Sequence, residues 1–316
     1  MLPLYGKELR MVNKFFSITE DNTGRYVIYV FGFRIRFLKS STKEERKKYE
    51  ALFTYCDVNN IPKAVGTLRD IQLANRGMLK CLDEICSKYN INYWLDFGTL
   101  LGAVRHRGFI PWDDDVDLGM MRDDYDKFVQ ILEKEKETYP DLYIDYCFNN
   151  VNKCFVKMKH RKSENLFVDI FPYDFYYKKL NQDEKQELSQ KIHKISHSKK
   201  RFFLKEESLL KHFKKNTNKI LEGYDLKKEK EPAIFMGIDY PHGHGNKVYD
   251  YEQIFPLQKL EFEDCEFLVP NKPHEILKSI YGDYTSIPKG ALYPRHSNSF
   301  TLLPKEKEIL EKMKNF

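Results

Sequence analysis

The 316-residue chain is 41% hydrophobic and 15% aromatic, enough apolar material for a sizeable core and too much for a globally disordered chain. Its net charge of +6, from 53 basic and 47 acidic residues, admits an anionic partner without requiring one, and with no recognisable reading module nucleic-acid binding is not expected. The six cysteines form no CxxC pair, Met1 does not open a leader, and no run nears the roughly 18 apolar residues of a membrane span, so the expectation is a cytoplasmic protein with reduced thiols.

Residues 25–38, RYVIYVFGFRIRFL, contain two β-rich runs meeting at Phe31-Gly32, which predicts a hairpin or bent ribbon. One face of it is free either to pack on the main domain or to lie on an anionic membrane surface. Lys39–Lys48 reads as a charged linker, placing an N-terminal ribbon at 1–48 and the main domain at 49–316. Leu68, Ile71, Leu79, Leu82 and Ile85 recur at helical spacing and predict a helix over 66–89. Ile91–Leu95 begins a strand, Gly98-Thr99 follows, and Leu100–Arg105 starts a helix. A small Gly-Thr step at a helix N-terminus lets backbone N–H groups approach a phosphate, although an isolated pair of this kind is commonly a plain turn. Arg105 carries a fork of donors suited to phosphate and is the candidate phosphate contact among the basic residues there. Arg107 can equally be a solvated loop residue, and His106 reads as positional.

The next segment is the most informative. Asp113, Asp114, Asp115 and Asp117 lie between Ile110-Pro111-Trp112 and Leu118-Gly119-Met120. Acid runs are usually solvated turns, but this one is embedded in apolar and aromatic residues. If Asp-Val-Asp alternates as a strand, Asp115 and Asp117 point to one side, about 6–7 Å apart along the chain. They then repel unless something positive sits between them. Hard oxygen ligands on a rigid element suit Mg²⁺ or Mn²⁺, the ions of phosphoryl chemistry. Asp115 and Asp117 are the expected ligands, with Asp113 in the cluster or just outside it.

Asp123–Glu137 is predicted helical, its Asp123, Asp124 and Asp126 explained by the helix dipole. Leu142–Tyr146, Phe155–Lys159 and Leu166–Phe171 read as strands. The last of these sets Asp169 among apolar neighbours, a costly position unless the carboxylate is paired, hydrogen-bonded or on a metal. Asp174 either supports the site or braces the following turn. Residues 178–230 are Lys-rich and helical in pattern, an inserted lobe whose basic surface, Lys199, Lys200 and Arg201 included, either recruits an anionic acceptor or leaflet or is merely solvated. The Pro241–Gly245 loop carries two histidines between glycines and is not expected to bind zinc. Beyond 232 short strands and turns are expected, with a helix over His274–Tyr281 ending at Gly282.

Three blocks now carry a family resemblance. YWLDFGTLLGAVRHRGFIPWDDDVDLGM, then Phe167–Pro172 with Asp174, then Tyr281-Gly282-Asp283-Tyr284 resemble, in order and approximate spacing, the signature of the LicD/fukutin family over about residues 70–300. The resemblance implies a nucleotidyltransferase-like α/β or α+β fold, a mixed sheet flanked by helices. It also implies metal-dependent transfer of a phosphorylated alcohol, phosphocholine or ribitol phosphate, from a CDP-linked donor to a glycan or lipid-linked glycan of lipopolysaccharide or capsule type, with release of CMP. Under it Asp169 joins Asp115 and Asp117 as a ligand or general base, and Gly98, Thr99 and Arg105 orient phosphates. Arg295 and His296 match a basic pair near the family's C-terminal end, expected to reach the donor phosphates, Arg295 above all, or the acceptor. Two other classes stay open: a divalent-metal glycosyltransferase using a sugar nucleotide, and a non-catalytic glycan-binding or scaffold protein.

Overall fold

The computed structural model describes residues 16–20, 25–30, 33–38, 61–149, 153–196, 206–221, 231–239, 247–285 and 304–316. The expectations for Phe31-Gly32, Lys39–Lys48, Lys199–Arg201, Pro241–Gly245, Arg295 and His296 lie outside these residues. The chain divides into two units, Met1–Asn60 with Ile287–Ser299, and Ile61–Ser286 with Phe300–Phe316. In the first unit, strands β1 (Phe16–Glu20), β2 (Arg25–Val30) and β3 (Phe33–Leu38) pair antiparallel in sequence order. The predicted hairpin over 25–38 is therefore present, with a third strand added on its β2 side.

The second unit is built on a mixed seven-stranded sheet. Its strands are β4 (Trp94–Leu95), β5 (Asp117–Met121), β6 (Leu142–Asn149), β7 (Lys153–His160), β8 (Ser163–Phe175), β9 (Ile234–Met236) and β10 (Val248–Tyr249). The order is β10-β9-β8-β5-β4, and β7, flanked by β6, pairs with the first half of β8. Pairing of β5 with β8 is parallel, and every other pairing among the described residues is antiparallel. Val168 to Asp174 is buried at every position, the pattern of a central strand covered on both faces.

Helix α1 (Gly66–Tyr89) has the predicted bounds and closes with Asn90 in the left-handed conformation. Helix α2 (Phe97–His106) starts earlier than its apolar pattern suggests, because Asp96 caps it. Helix α3 (Arg122–Lys134) buries Tyr125, Phe128, Ile131 and Leu132 and runs into a 3-10 turn at Glu135–Glu137. Burial of each such side chain is worth about 1.5–3 kcal/mol. The predicted strand over Ile91–Leu95 shrinks to β4, while the one over Leu166–Phe171 extends to thirteen residues in β8.

The Lys-rich segment supplies α4 (Gln182–Ser196) and α5 (Glu206–Leu221). It has a small core of its own, in which Leu180, Leu188, Ile192 and Ile220 meet Ala233, Phe235 and Ile238 at β9. The tail contains α6 (Tyr251–Ile254), the hairpin β11 (Gln258–Phe262) and β12 (Cys265–Val269), α7 (Pro273–Tyr281) and α8 (Pro304–Lys314). Helix α8 was not anticipated: it packs on α1, where Arg76 donates to the Lys314 carbonyl at 2.8 Å. Cys81 and Cys86 are buried free thiols in α1. Among the described residues no helix is long and apolar enough to cross a membrane.

Candidate functional site: a carboxylate rung in the central sheet

The site begins with strand register. Asp117 pairs with Asp169 across the parallel β5–β8 ladder, and Asp169 pairs with Lys157 across the antiparallel β8–β7 ladder. Lys157, Asp169 and Asp117 thus form one rung through the sheet. Lys157 Nζ lies 2.6 Å from Oδ1 of Asp169 and donates to Oδ2 at 2.8 Å. The Lys157 ammonium also sits 3.9 Å from the centre of the Phe167 ring, a cation–π contact that helps to hold it in place.

Asp115 completes the cluster from just outside β5. The predicted Asp-Val-Asp strand begins only at Asp117, but the Val116 carbonyl still accepts from the Asp169 N–H at 2.8 Å, so the chain stays extended there. Asp115, Asp117 and Asp169 each offer a carboxylate oxygen within 4.8 Å of the others. A second group, Asp113, Asp114 and Asp115, meets the same criterion and shares Asp115 with the first. Asp114 is an addition, because the sequence argument singled out only its neighbours.

Electrostatically the cluster is poised for a cation. Burial, then the charges of Asp115, Asp169, Asp113 and Asp96, push the Asp117 carboxyl well above the usual carboxylate range. Convergent buried carboxylates on a rigid strand are the donor set that hard divalent ions take, so the residues present fit Mg²⁺ or Mn²⁺.

The Asp96–Thr99 turn supports this cluster. Asp96 Oδ1 accepts from the Phe97 N–H at 2.9 Å, and Oδ2 accepts from the Tyr173 hydroxyl at 2.6 Å. Burial raises the Asp96 carboxyl to about 6 against the pull of these two bonds. Phe97 has a left-handed φ of 40°, a conformation that costs a non-glycine residue free energy and recurs at functional turns. The Gly98 N–H then points at Oδ2 of Asp117 at 3.3 Å, and Thr99 Oγ1 accepts from the Asp117 N–H at 2.8 Å. A side chain at position 98 would put its Cβ 2.7 Å from Oδ2 of Asp113, so the glycine lets this carboxylate lie close to the turn. The structure therefore brings Gly98 and Thr99 to the carboxylates.

Arg105 is placed differently. It is two helical turns from Gly98, donates to the Tyr284 carbonyl at 2.8 Å and contacts His106 Nε2 at 3.0 Å. This contact joins the first sequence block to the Tyr281–Tyr284 block. Burial beside Arg105 lowers His106 to about 4, so its ring is neutral at pH 7. Asp174 lies at the far end of β8 and accepts from Nε and Nη2 of Arg122 at 2.9 and 2.8 Å, while Asp239 takes the other edge of the same guanidinium. Its observed part is bracing.

Sequence reasoning missed Lys157, Arg122, Asp239 and Asp96. Asp96 had a legible signal, a lone Asp directly before a helix. Lys157 and the Arg122 pair had none, because their roles arise from cross-strand neighbours.

The family model for LicD/FKTN/FKRP, nucleotidyltransferase domain, matches residues 90–207, the stretch that holds the whole rung. The chain is 33% identical over 254 residues to the lipopolysaccharide cholinephosphotransferase LicD of Haemophilus influenzae, covering 70% of this chain and 92% of that protein. It is 36% identical over 83 residues to the human ribitol 5-phosphate transferase FKRP, 26% of this chain and 17% of that one. A Rickettsia typhi protein of uncharacterized activity is 39% identical over 106 residues, 32% of this chain and 34% of its own. With the rung, the strand–turn–helix support and a relative matched over nearly its whole length, the chain belongs to the LicD family.

Proposed function

We propose that this protein transfers a phosphorylated alcohol, phosphocholine or a similar group, from a CDP-linked donor to a hydroxyl of a cell-surface glycan or lipid-linked glycan, releasing CMP. The observation that carries the reading is the convergence of Asp115, Asp117 and Asp169 beside the Gly98 turn, in a chain similar along most of its length to a lipopolysaccharide cholinephosphotransferase.

In this reading Asp115 and Asp117 hold Mg²⁺ or Mn²⁺, with Asp113 at the edge of the same cluster. When bound, the ion neutralises the donor diphosphate and the charge that develops on departing CMP. The acceptor hydroxyl oxygen attacks the phosphorus that bears the alcohol, the bond from that phosphorus to the bridging oxygen breaks, and CMP takes the electron pair. Asp169 either completes the ligand set or accepts the hydroxyl proton. Its pairing with Lys157 and its closeness to Asp115 and Asp117 favour the ligand role. Gly98 and Thr99 leave room for phosphate beside the carboxylates, and Arg105 and Arg295 are the proposed donor-phosphate contacts, with His296 towards the acceptor and Asp174 in support. The outer face of α5 presents Lys211, Lys214, Lys215 and Lys219 around an open groove, a basic surface suited to peripheral contact with the inner, anionic membrane surface.

The test is incubation with Mg²⁺ or Mn²⁺ and a panel of CDP-alcohols, with CMP and the phosphorylated product measured. Release of a nucleoside diphosphate from a sugar nucleotide, with no phosphorus in the product, would establish the glycosyltransferase instead.

A further inference from the structure

Helix α1 carries two polar side chains where its inward face should be apolar. Gln72 is 1% exposed and Asn75 0% exposed, and Asn75 falls in the stripe otherwise formed by Ile71, Met78, Leu79 and Leu82. A buried amide is tolerated only when its hydrogen bonds are made, and the partners here are specific. Gln72 Nε2 donates to the carbonyls of Ile110 at 3.2 Å and Asp113 at 2.8 Å, while its Oε1 accepts from Arg69 Nη1 at 3.2 Å. Asn75 Nδ2 donates to the carbonyls of Asp114 at 3.0 Å and Asn165 at 3.1 Å, and its Oδ1 accepts from the Phe167 N–H at 3.1 Å.

These bonds reach both strands of the carboxylate rung. Asp114 immediately precedes Asp115, and Asn165 and Phe167 lie on β8 just before Asp169. One Asn75 amide therefore ties the segment leading into Asp115 and Asp117 to the strand carrying Asp169. Gln72, one turn earlier on the same face, grips both ends of the irregular turn from Ile110 to Asp113, in which the Asp113 N–H also donates to the Ile110 carbonyl at 3.0 Å. Its own orientation is set by Arg69, which donates twice to Glu263 at 2.9 and 2.6 Å.

We propose that Gln72 and Asn75 are positioning residues that set the spacing of the carboxylate cluster, so that cation affinity depends on two amides that never touch the ion. The proposal rests on the metal reading above. Outer partners that orient ligands typically cost about 10–100-fold in metal affinity when removed.

The experiment is Mn²⁺ titration of the full-length protein by loss of the free-ion paramagnetic resonance signal, alongside thermal melting. Gln72→Met and Asn75→Leu keep approximate side-chain size and lose the donors. Leu132→Ala on α3 is the control, destabilising the fold through a cavity outside the amide network. The expected result is Mn²⁺ affinity weakened about 10–100-fold in both amide variants, with Leu132→Ala retaining the unmutated affinity. If Asn75→Leu does not fold, Gln72→Met alone decides. Amide variants that melt lower yet bind Mn²⁺ as the unmutated protein does would overturn the proposal and leave the metal reading standing. Absence of Mn²⁺ binding by the unmutated protein, or binding unaffected by Asp117→Asn, would bring down the metal reading and this proposal with it.

Discussion

Lys157→Met removes the cation that touches Asp169 and leaves its carboxylate neighbours in place. In the structure the ammonium is 2.6 and 2.8 Å from the two Asp169 oxygens, while Asp115 and Asp117 oxygens lie within 4.8 Å. At an effective dielectric near 20, unit charges about 3 Å apart attract by about 5.5 kcal/mol, and like charges at 4.8 Å or closer repel by at least about 3.5 kcal/mol. Burial and its neighbours already push the Asp117 carboxyl up, and without Lys157 the cluster would take up a further proton rather than keep the Asp169 charge beside the other carboxylates. That proton sets the ceiling: starting from an ordinary Asp value of about 3.9, holding it at pH 7 costs about 4 kcal/mol at 1.36 kcal/mol per pH unit. At pH 5 the same arithmetic gives about 1.5 kcal/mol. The sign follows, because the variant's native state binds more protons than its unfolded state, so its stability falls as pH rises. Urea unfolding of both proteins in chelator at pH 5 and pH 7 measures the gap, provided the m value is unchanged. The gap should narrow in excess Mn²⁺. A gap below about 1 kcal/mol at pH 7, as for an exposed pair, or one that does not vary with pH, would refute the reasoning.

Asp117→Asn should abolish turnover and weaken Mn²⁺ binding by calorimetry, yet melt no lower in chelator, because the substitution relieves a buried charge that Asp115, Asp169 and Asp113 oppose; full activity in excess chelator would contradict this. Glu263 is held down at about 2 because, although burial pushes it up, its bonds from Arg69 and Lys63 prevail. Its contribution is complete above the ordinary value of 4.5 and is lost as pH falls towards 2. Glu263→Gln should therefore be less stable at neutral pH and flatter across that acid window in pH-dependent melts. Gly119→Ala would place a Cβ 2.4 Å from the Trp94 indole, which is 1% exposed. The expected loss is about 1–3 kcal/mol in denaturant unfolding, and a loss within error would mean that the indole moves aside freely.

What could be read in advance was local. Helix α1 was legible at both ends because its apolar spacing is regular, and Asp169 stood out because a carboxylate among Val168 and Ile170 needs a reason. The density of acids around Asp115 and Asp117 marks a candidate site, but their side-by-side placement with Asp169 follows from β5–β8 register, which no local pattern encodes. Lys157 was invisible for the same reason: on its own strand it is one of several alternating lysines, and only the rung singles it out. Arg105 shows a further limit of local reading. Its chemistry suits phosphate, but helix geometry turns it towards Tyr284 in the third block.

The parallel pairing of β5 with β8 also bears on how the protein reaches this structure. Parallel neighbours cannot be joined by a tight turn, and here the connection contains α3 and the β6–β7 hairpin. The two halves of the carboxylate cluster therefore meet only after a long loop has closed, the kind of non-local contact that slows folding. Like charges resist that last approach, whereas β7 can bring Lys157 to Asp169 through a short antiparallel turn beforehand. The lysine would then act as a folding-stage counterion, letting β8 dock beside β5 with one of its charges already balanced.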